Sequence, residues 1–447
     1  MSEPGKTAEV LVIGAGPAGL AAAATLKRAG VSVEIIEQRP TIGGAIFRQP
    51  IDGVTPVPQP RAAKARFARL RQAAENIPIH HEQVFIAVDG DGWAVTENRR
   101  TGRIETRRPK AVIIATGAVE KVLPRPGWHL PGVSTAGGLQ VMMKETGRPP
   151  QGRVLLAGNG PLLFAVAAQM ARLGNPPVAV VEAGAPFRAV AAGLQLFRFP
   201  QLLTESLGYM ATLLMRRIPV LQATTVRDIR RTDEGFAVTL AGRDGRTREI
   251  IVDRVGLHDG IRPNDFALPP EGQPSPSHPL ILHAGDGREA LGSSAAEADG
   301  RKAAGQVIAA LSGQAPRPEA MLAHMRAAQA VLDRIFAPAS GASTFAALPD
   351  DTILCRCEGK TAGDLKRLVL GVDAPSEREI KHNGRFAMGA CQGRFCAHNT
   401  AAFMAEIRPG QTIPAAENLA GRRWPVRPVP IDAMITAASS PIEPKDQ

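Results

Sequence analysis

The four cysteines of this 447-residue chain stand in two close pairs. They are Cys355 and Cys357, then Cys391 and Cys396, in the pattern C-x-C, 33 intervening residues and C-x4-C. Two pairs of soft sulfur ligands on separate loops match the donor set of a four-thiolate metal centre. Because zinc knuckles usually use C-x-x-C pairs, this spacing favours a [2Fe–2S] cluster. Zinc and a metal-free site are the alternatives.

A glycine-rich turn near the N-terminus has the pattern of a dinucleotide-binding site. Residues 10–13 predict a strand, residues 20–28 a helix and residues 31–36 a second strand. In such a unit the first glycine permits the tight turn, the second lets the backbone approach a pyrophosphate, and the third lets helix and strand pack closely. The free N–H groups at the start of the helix can then bind phosphate. The predicted cofactor residues are Gly14, Gly16, Pro17, Ala18, Gly19 and, at a ribose, Glu37.

Three later segments favour FAD over NAD as the cofactor of this turn. They are Gly43-Gly44, Thr116-Gly117 after a predicted strand at 111–114, and Gly285-Asp286 after a predicted strand at 280–283. A glycine pair soon after the second strand is typical of the loop that passes a flavin. Asp286, at a strand end, can accept a hydrogen bond from a ribityl hydroxyl. Since all four cysteines lie far along the chain, no redox cysteine pair is left beside the flavin, and dithiol chemistry is excluded.

A second strand–turn–helix–strand unit, at residues 154–182, repeats the first. It contains the turn Gly158-Asn159-Gly160 and ends at Glu182, but Leu163 stands where the third glycine is expected. A side chain at that position obstructs the close approach of helix and strand. The unit is therefore predicted to be an altered site. NAD(P) binding, adenine-nucleotide binding and a retained fold without a ligand all stay open.

The order of these units predicts an α/β protein with two Rossmann-like βαβ domains, the second inserted in the first. A small C-terminal helical iron–sulfur domain follows, and a Pro-rich tail from Trp424 is predicted to pack in extended form across a neighbouring domain. The predicted boundaries are 1–125 with 256–312 for the FAD domain, 126–255 for the second nucleotide-binding domain, 313–347 for a connector with one amphipathic helix, 348–408 for the [2Fe–2S] domain and 409–447 for the tail.

The composition argues against nucleic-acid binding and against a membrane span. The net charge is +11, but only 4% of the residues are aromatic, with one Tyr, which is too few for base-stacking modules. The uncharged stretch 154–171 contains a glycine turn, so it predicts a strand and a helix rather than a transmembrane segment. The first residues lack the basic region of a secretory signal. We expect a cytoplasmic protein, whose clustered thiols bind metal more often than they pair.

The chain resembles the A (alpha) subunits of the bacterial opine oxidases for octopine and nopaline. It is also similar to D-hydroxyproline dehydrogenase subunits, to the B subunit of hydrogen cyanide synthase and to part of the alpha subunit of heterotetrameric sarcosine oxidase. The motifs that carry the resemblance are 14–19, 158–163, 285–287, Cys355-Arg356-Cys357 and 389–396, which span nearly the whole chain. Leu163 belongs to this pattern, so it supports the family while weakening the NAD interpretation.

The resemblance implies an FAD-dependent oxidoreductase with a C-terminal BFD-like [2Fe–2S] domain. In these relatives a beta-type flavoprotein, similar to D-amino-acid oxidase, carries the substrate site, and the alpha subunit passes electrons onward. A hetero-oligomer is therefore expected, with no substrate-oxidising residues in this chain. His80-His81 and His258-Asp259 are the only acid–base candidates, and both are interpreted as structural. The alternatives are a stand-alone NAD(P)H-dependent FAD/[2Fe–2S] reductase and a hydrogen cyanide synthase subunit.

Overall fold

The computed structural model describes residues 8–275, 277–313, 319–338, 345–371, 376–410, 412–413, 415–420 and 425–439. The strands, in chain order, are β1 (Val10–Ile13), β2 (Val33–Glu37), β3 (Ile79–His81), β4 (Gln83–Val88), β5 (Ala94–Asn98), β6 (Arg103–Arg107), β7 (Ala111–Ile114), β8 (Ala118–Glu120), β9 (Val133–Thr135), β10 (Val154–Gly158), β11 (Ala179–Glu182), β12 (Val220–Leu221), β13 (Thr224–Thr232), β14 (Gly235–Gly242), β15 (Thr247–Val252), β16 (Arg254–His258), β17 (Ile261–Pro263), β18 (Leu280–His283), β19 (Ile353–Cys355) and β20 (Lys360–Thr361). The α-helices are α1 (Pro17–Arg28), α2 (Arg61–Ala73), α3 (Ala136–Thr146), α4 (Pro161–Arg172), α5 (Val190–Leu194), α6 (Pro200–Met215), α7 (Ser293–Ser312), α8 (Ala320–Ile335), α9 (Ala362–Leu370), α10 (Glu377–His382), α11 (Ala397–Ile407), α12 (Ala416–Ala420) and α13 (Ile431–Ser439).

The first βαβ unit belongs to a five-stranded parallel sheet with the strand order β18-β7-β1-β2-β3. Val10 and Val12 of β1 pack under α1 and α7 on one face of the sheet. Leu11 and Ile13 pack on the other face against the antiparallel sheet β4-β5-β6. Because both faces are covered, these parallel strands are apolar throughout. Three of them, β1, β7 and β18, have the bounds that the sequence predicts.

The second βαβ unit forms another five-stranded parallel sheet, with the order β12-β11-β10-β16-β9. Helices α3, α4 and α6 cover one face, and the antiparallel sheet β13-β14-β15 covers the other. This unit is inserted between β7 and β18 of the first sheet, as predicted. The expected boundary at residue 256 falls inside β16, which pairs with β10 as far as His258, so the second sheet extends past that boundary.

Two crossings join the nucleotide-binding domains. Strand β8 leaves the first domain and β17 returns to it, and the two pair as an antiparallel ribbon. The uncharged stretch 154–171 is β10, the glycine turn and most of α4, as predicted. Among the described residues, no helix combines the length and the apolar character needed to cross a membrane.

The cysteine region is a small helical unit that begins with the two-stranded ribbon β19-β20. Helix α9 starts with a reciprocal cap: the Thr361 side chain accepts a hydrogen bond from the N–H of Asp364, and the Asp364 carboxylate accepts one from the N–H of Thr361. The predicted start at Thr361 and stop at Gly371 are confirmed. Leu365 and Phe386 are fully buried in the core of this unit.

The Pro-rich tail packs on the first domain. Val426 is buried against the β4-β5-β6 side of the first sheet, and its N–H donates to the carbonyl oxygen of Ile86 at 2.9 Å. Residues 425–430 contain neither helix nor strand, which agrees with the extended packing predicted for them, whereas Trp424 lies outside the described residues. The amphipathic helix predicted for the connector is α8.

Helix α7 carries two glycines whose surroundings differ. A β-carbon at Gly300 would lie 2.1 Å from the carbonyl oxygen of Ala18 in α1, whereas one at Gly305 would meet no atom within 4 Å. Since Gly300→Ala must push α1 and α7 apart, we expect it to lower the free energy of unfolding by about 1–3 kcal/mol. Gly305→Ala should be neutral or stabilise by up to about 1 kcal/mol. Chemical denaturation followed by circular dichroism measures both, and equal stabilities would contradict this packing.

Candidate functional site

The first glycine turn is held by backbone contacts that leave no room for side chains. Gly14 has a φ of +106°, and a β-carbon there would lie 2.5 Å from the carbonyl oxygen of Ala115. A β-carbon at Gly19 would lie 1.8 Å from the carbonyl oxygen of Gly14. These glycines let the start of α1 pack directly on the ends of β1 and β7, as the spacing predicts.

The space in front of Gly16 is open. A β-carbon at Gly16 would meet nothing closer than the Cα of Gly44, at 3.8 Å. Gly16 is the N-cap of α1, and no described side chain caps this helix. Pro17, at the first helical position, has no N–H to satisfy. The remaining N–H groups of the first turn therefore face a space that an anion such as a pyrophosphate can enter.

Glu37 lies beneath this turn at the end of β2 and is buried. Its Oε2 accepts a hydrogen bond from the N–H of Ala15 at 2.8 Å, and its Oε1 accepts one from the N–H of Arg39 at 2.9 Å. The carboxylate thus holds the glycine turn in place, which the sequence did not predict. Each oxygen keeps a second lone pair, so a ribose hydroxyl can still donate to it.

Thr116 and Gly117, at the end of β7, are tied to the returning chain at Asn264. Thr116 Oγ1 donates to the carbonyl oxygen of Asn264 at 2.9 Å, and the N–H of Asn264 donates to the carbonyl oxygen of Gly117 at 2.9 Å. A β-carbon at Gly287 would lie 3.1 Å from Thr116 Oγ1. Asn264 and Gly287 were not predicted as site residues, because only the tertiary fold brings them to this strand end.

Gly285 and Asp286 lie beside the first turn of α1, although more than 260 residues separate them from it in the sequence. A β-carbon at Gly285 would lie 2.6 Å from the β-carbon of Ala18. Asp286 Oδ1 accepts hydrogen bonds from the N–H groups of Leu291 at 3.1 Å and Gly292 at 3.0 Å. Burial raises the pKa of this carboxyl group. The fold therefore brings the two predicted halves of the cofactor site together.

Two buried cations flank the loop that follows the second glycine pair. Lys144 Nζ, from α3, donates to the carbonyl oxygens of Ala45 at 3.1 Å and Ile46 at 3.0 Å. The Arg48 side chain is buried, with its Nε 3.5 Å from a Glu145 carboxylate oxygen and without a hydrogen bond among the described residues. Burial, helped by the Arg48 charge, lowers the pKa of Lys144 to about 8. A lone Lys or Arg carries no sequence signal for such a position.

The second glycine turn repeats the first contact but not the third. A β-carbon at Gly158 would lie 1.7 Å from the carbonyl oxygen of His258, so the turn is as tight as in the first unit. Leu163 is fully buried in the core between α4 and the second sheet. Glu182, at the end of β11, is also fully buried, and its Oε2 accepts a hydrogen bond from the N–H of Gly160 at 3.0 Å.

The chain itself covers the outer side of this second turn. Asn159 Nδ2 donates to the carbonyl oxygen of Phe336 and to Glu182 Oε1, each at 2.7 Å. Pro338 forms an antiparallel bridge with Gly184, where a β-carbon would lie 2.9 Å from the carbonyl oxygen of Phe336. In a nucleotide-binding βαβ unit, the acidic residue at this strand end contacts the adenosine ribose. The segment Phe336–Pro338 therefore lies where that ribose would be placed.

The histidines considered as acid–base candidates contact structural elements. His258 Nδ1 is 2.8 Å from Glu120 Oε1, and the Glu120 carboxylate also accepts hydrogen bonds from the first N–H groups of α3. Asp259 forms an ion pair with Arg125, largely removed from solvent. His80 lies on β3, the edge strand that the sequence predicts for it. These contacts agree with structural roles.

The four cysteines form one continuous series of thiol contacts. Cys396 is hydrogen-bonded to both Cys355 and Cys391, and Cys391 is also hydrogen-bonded to Cys357. The bond from Cys396 lowers the pKa of Cys355 to about 6 and that of Cys391 to about 5, while the pKa of the donor Cys396 is raised. No group of three or more His, Cys, Asp or Glu side chains within the described ranges converges on a single metal position.

The backbone around the cysteines is bent toward their sulfurs. Cys355 accepts hydrogen bonds from the backbone at Glu358 and Ala387. Ala387 has a φ of +60°, a conformation that side chains rarely adopt. A β-carbon at Gly389 would lie 2.4 Å from the β-carbon of Cys357, so only glycine lets the second loop approach the first cysteine pair this closely.

The cysteine unit packs against the nucleotide-binding domains. The indole N–H of Trp128, in the segment that links those domains, donates to the carbonyl oxygen of Ile353 at 2.7 Å. A cavity of about 370 Å³ lies at this junction, and its lining includes Gly287 and Ala397. Gly287 contacts the strand end of the first nucleotide unit, and Ala397 follows Cys396 directly. The nucleotide turn and the cysteines therefore meet at one junction.

Residues 8–275 match the family model described as pyridine nucleotide-disulphide oxidoreductase. The chain belongs to this family. The matched region of this family member contains no cysteine, so it has no residues for disulphide chemistry, as predicted.

Two curated relatives and one solved structure extend the similarity beyond the matched region. The A (alpha) subunit of opine oxidase from Agrobacterium tumefaciens (strain Ach5) is 31% identical over 94% of this chain and 90% of that protein. Hydrogen cyanide synthase subunit HcnB of Pseudomonas aeruginosa is 30% identical over 86% of this chain and 90% of that protein. The L-proline dehydrogenase from P. horikoshii has a TM-score of 0.62 over 96% of this chain and 79% of its own, and at 16% identity it shows the fold alone. The predicted family is confirmed, and the chain is an FAD-dependent oxidoreductase.

Lys144 should give this pyridine nucleotide-disulphide oxidoreductase a pH-dependent stability. Folding lowers its pKa from 10.5 to about 8, so between these values the unfolded chain binds more protons than the folded one. The penalty for burying the charge is full below pH 8, and the free energy of unfolding should rise by up to about 3 kcal/mol as the pH increases through this window. Urea denaturation at several pH values should show the rise in the parent and in Lys64→Met, on the exposed side of α2, but not in Lys144→Met. A rise that persists in Lys144→Met would contradict the assignment.

Proposed function

We propose that this chain is the electron-transfer subunit of a heteromeric amino-acid dehydrogenase of the opine or D-hydroxyproline type. It would carry FAD and a [2Fe–2S] cluster, take electrons from a beta-type partner flavoprotein that holds the substrate site, and deliver them to an acceptor. Two proteins to which it is similar over most of their length are named as subunits, one of opine oxidase and one of hydrogen cyanide synthase. This supports a heteromeric enzyme.

The first nucleotide unit has the features that FAD needs. Gly16 leaves the start of α1 open to a pyrophosphate, and Glu37 keeps lone pairs for a ribose. Bound FAD supplies the electron-carrying chemistry, and the chain holds it at the junction of β1, β7 and α1. The residues proposed to hold FAD are Gly14, Gly16, Pro17, Ala18, Gly19, Glu37, Gly44, Thr116, Gly117, Gly285 and Asp286.

The covered second nucleotide unit is the observation that carries the proposal. A nicotinamide nucleotide could bind there only by displacing Phe336–Pro338, which would break the hydrogen bond from Asn159 to the Phe336 carbonyl oxygen and the bridge to Gly184. An oxidoreductase whose nicotinamide site is filled by its own chain needs another electron donor. A partner flavoprotein meets this need, whereas a stand-alone NAD(P)H-dependent reductase does not fit it.

The cysteine unit fits a binuclear iron–sulfur cluster by its donor chemistry. Such a cluster takes four thiolates shared between two irons, so it needs two pairs of ligands rather than one group around a single ion. The series of contacts from Cys357 through Cys391 and Cys396 to Cys355 offers these pairs. Backbone hydrogen bonds to the sulfurs would raise the potential of a bound cluster.

The substrate site is assigned to the partner because the described residues of this chain offer no acid–base group free for it. His258 is engaged with Glu120, and His80 lies 3.1 Å from Glu34. The identity to hydrogen cyanide synthase subunit HcnB nearly equals the identity to the opine oxidase relative. The substrate of the partner, and not a residue of this chain, would therefore distinguish the two kinds of complex.

FAD binding should depend on the open space at Gly16. Gly16→Val places a branched side chain where the pyrophosphate must lie, yet meets little of the protein's own structure, so we expect a folded protein without flavin. Gly90→Val is the control, because a β-carbon at Gly90 meets no atom within 4 Å and the site lies on a distant turn. Flavin absorbance and thermal unfolding measure both variants. Full FAD content in Gly16→Val would refute the assignment.

Electron transfer should depend on the cysteines and on a partner. The complex with its partner flavoprotein should contain about two irons and two sulfides per copy of this chain. An opine or D-hydroxyproline should reduce the complex and, through it, an external dye. Cys391→Ser should abolish dye reduction while the partner flavin is still reduced, because the substrate site lies in the partner. NADH should reduce the isolated chain poorly.

Three results would overturn this division of labour. One is substrate oxidation by the isolated chain. Another is unchanged dye reduction in a complex that lacks the cluster. The third is rapid bleaching of the isolated chain's flavin by NADH, which would favour the stand-alone reductase.

A further inference from the structure

The crossover between β11 and β12 carries a large exposed apolar surface. Leu214, Met215 and Phe197 are 80%, 75% and 70% exposed. Single exposed apolar residues are ordinary on protein surfaces, but a contiguous set marks an interaction site. We define the apolar patch by its seven exposed members, all within α5, α6 and the two 3-10 turns before α6: Phe187, Val190, Leu194, Phe197, Leu207, Leu214 and Met215.

Helix α6 is apolar on both of its sides. Leu213 faces inward and is buried in the core of the second nucleotide-binding domain. Leu207 and Leu214, seven residues apart and so on one face of the helix, point outward and are exposed. A surface helix normally presents polar residues to water, whereas a helix that is apolar all round is normally buried. The outer face of α6 is therefore suited to being covered by another molecule.

The rim of the apolar patch is positively charged. Arg188, Arg198, Arg216 and Arg217 are all exposed around it. Between residues 183 and 224 the sequence has only one carboxylate, that of Glu205. In protein interfaces Phe, Met and Arg are enriched and acidic residues are depleted, which matches this composition. The charge also restricts the occupant, since the opposing surface must tolerate four guanidinium groups.

We propose that the apolar patch is the docking surface for the partner flavoprotein, which would present an apolar face with carboxylates around it. This rests on the proposed function, because the relatives named as subunits make a partner chain the expected occupant. A second copy of this chain is a poorer fit: in a two-fold dimer the patch would face itself, and Arg would meet Arg. An anionic membrane surface would also attract the arginines, and it is tested as the competing outcome.

The experiment compares two aspartate substitutions in the tagged chain, purified with its partner from cells that make both. Leu214→Asp places a charge in the patch, and Ile431→Asp places one at an equally exposed apolar residue of α13, where Ile431 is 78% exposed. Leu214→Asp should weaken the complex by about tenfold or more, as for a central interface residue, while Ile431→Asp leaves it intact. Light scattering gives the mass of the complex, and flavin content checks that each variant is folded. A photo-crosslinker at position 197, Phe197→p-benzoylphenylalanine, should attach to the second flavoprotein.

Each other outcome would count against the docking surface. A complex of unchanged affinity in Leu214→Asp, or a crosslink from position 197 to a second copy of this chain, overturns it. Binding to vesicles of phosphatidylcholine and phosphatidylglycerol that Leu214→Asp abolishes, with the protein complex intact, assigns the patch to a membrane instead. If the unmodified chain carries no second flavoprotein at all, the proposed function fails together with the docking surface.

Discussion

The close approach of α1 to two strand ends and to α7 is the constraint on which the rest of the structure depends. Gly19 and Gly300 have no side chains, and a β-carbon at either would lie within about 2 Å of a backbone oxygen of the neighbouring element. Gly285 packs against Ala18 in the same way. Because only backbone and methyl groups meet here, the first N–H groups of α1 stay uncovered. The nucleotide site is therefore built mainly from backbone, with Glu37 as its buried support.

The two nucleotide units show how one turn can serve two purposes. Both have a glycine pressed against the neighbouring strand, and both have a buried carboxylate that accepts a hydrogen bond from the turn. They differ in what lies outside: the first faces open space at Gly16, and the second is covered by Phe336–Pro338. A site that is closed by its own chain retains the fold and gives up the ligand, which agrees with a subunit that receives electrons from a protein.

The cysteine loops store backbone strain close to the sulfurs. Arg385, Ala387 and Gln392 all have positive φ, although none is glycine. Such conformations cost free energy and persist only where the surrounding structure enforces them, which is why they are frequent at functional sites. Here the enforcing contacts include Gly389 against Cys357 and the buried core around Phe386. The strain lies where the thiols must be brought together.

Local patterns in the sequence were sufficient for the two strand–turn–helix units, the insertion of one domain in the other, the helix cap at Thr361 and the grouping of the cysteines. Glycine spacing and apolar runs report on neighbouring residues, and these features depend on neighbouring residues. The cover over Glu182, the buried charge of Lys144 and the exposed outer face of α6 could not be predicted in this way. Each depends on which distant segment does or does not pack there: Phe336 reaches Asn159 across 177 residues, and Lys144 reaches Ala45 across 99. Burial and exposure are properties of the folded chain, so only the tertiary structure decided them.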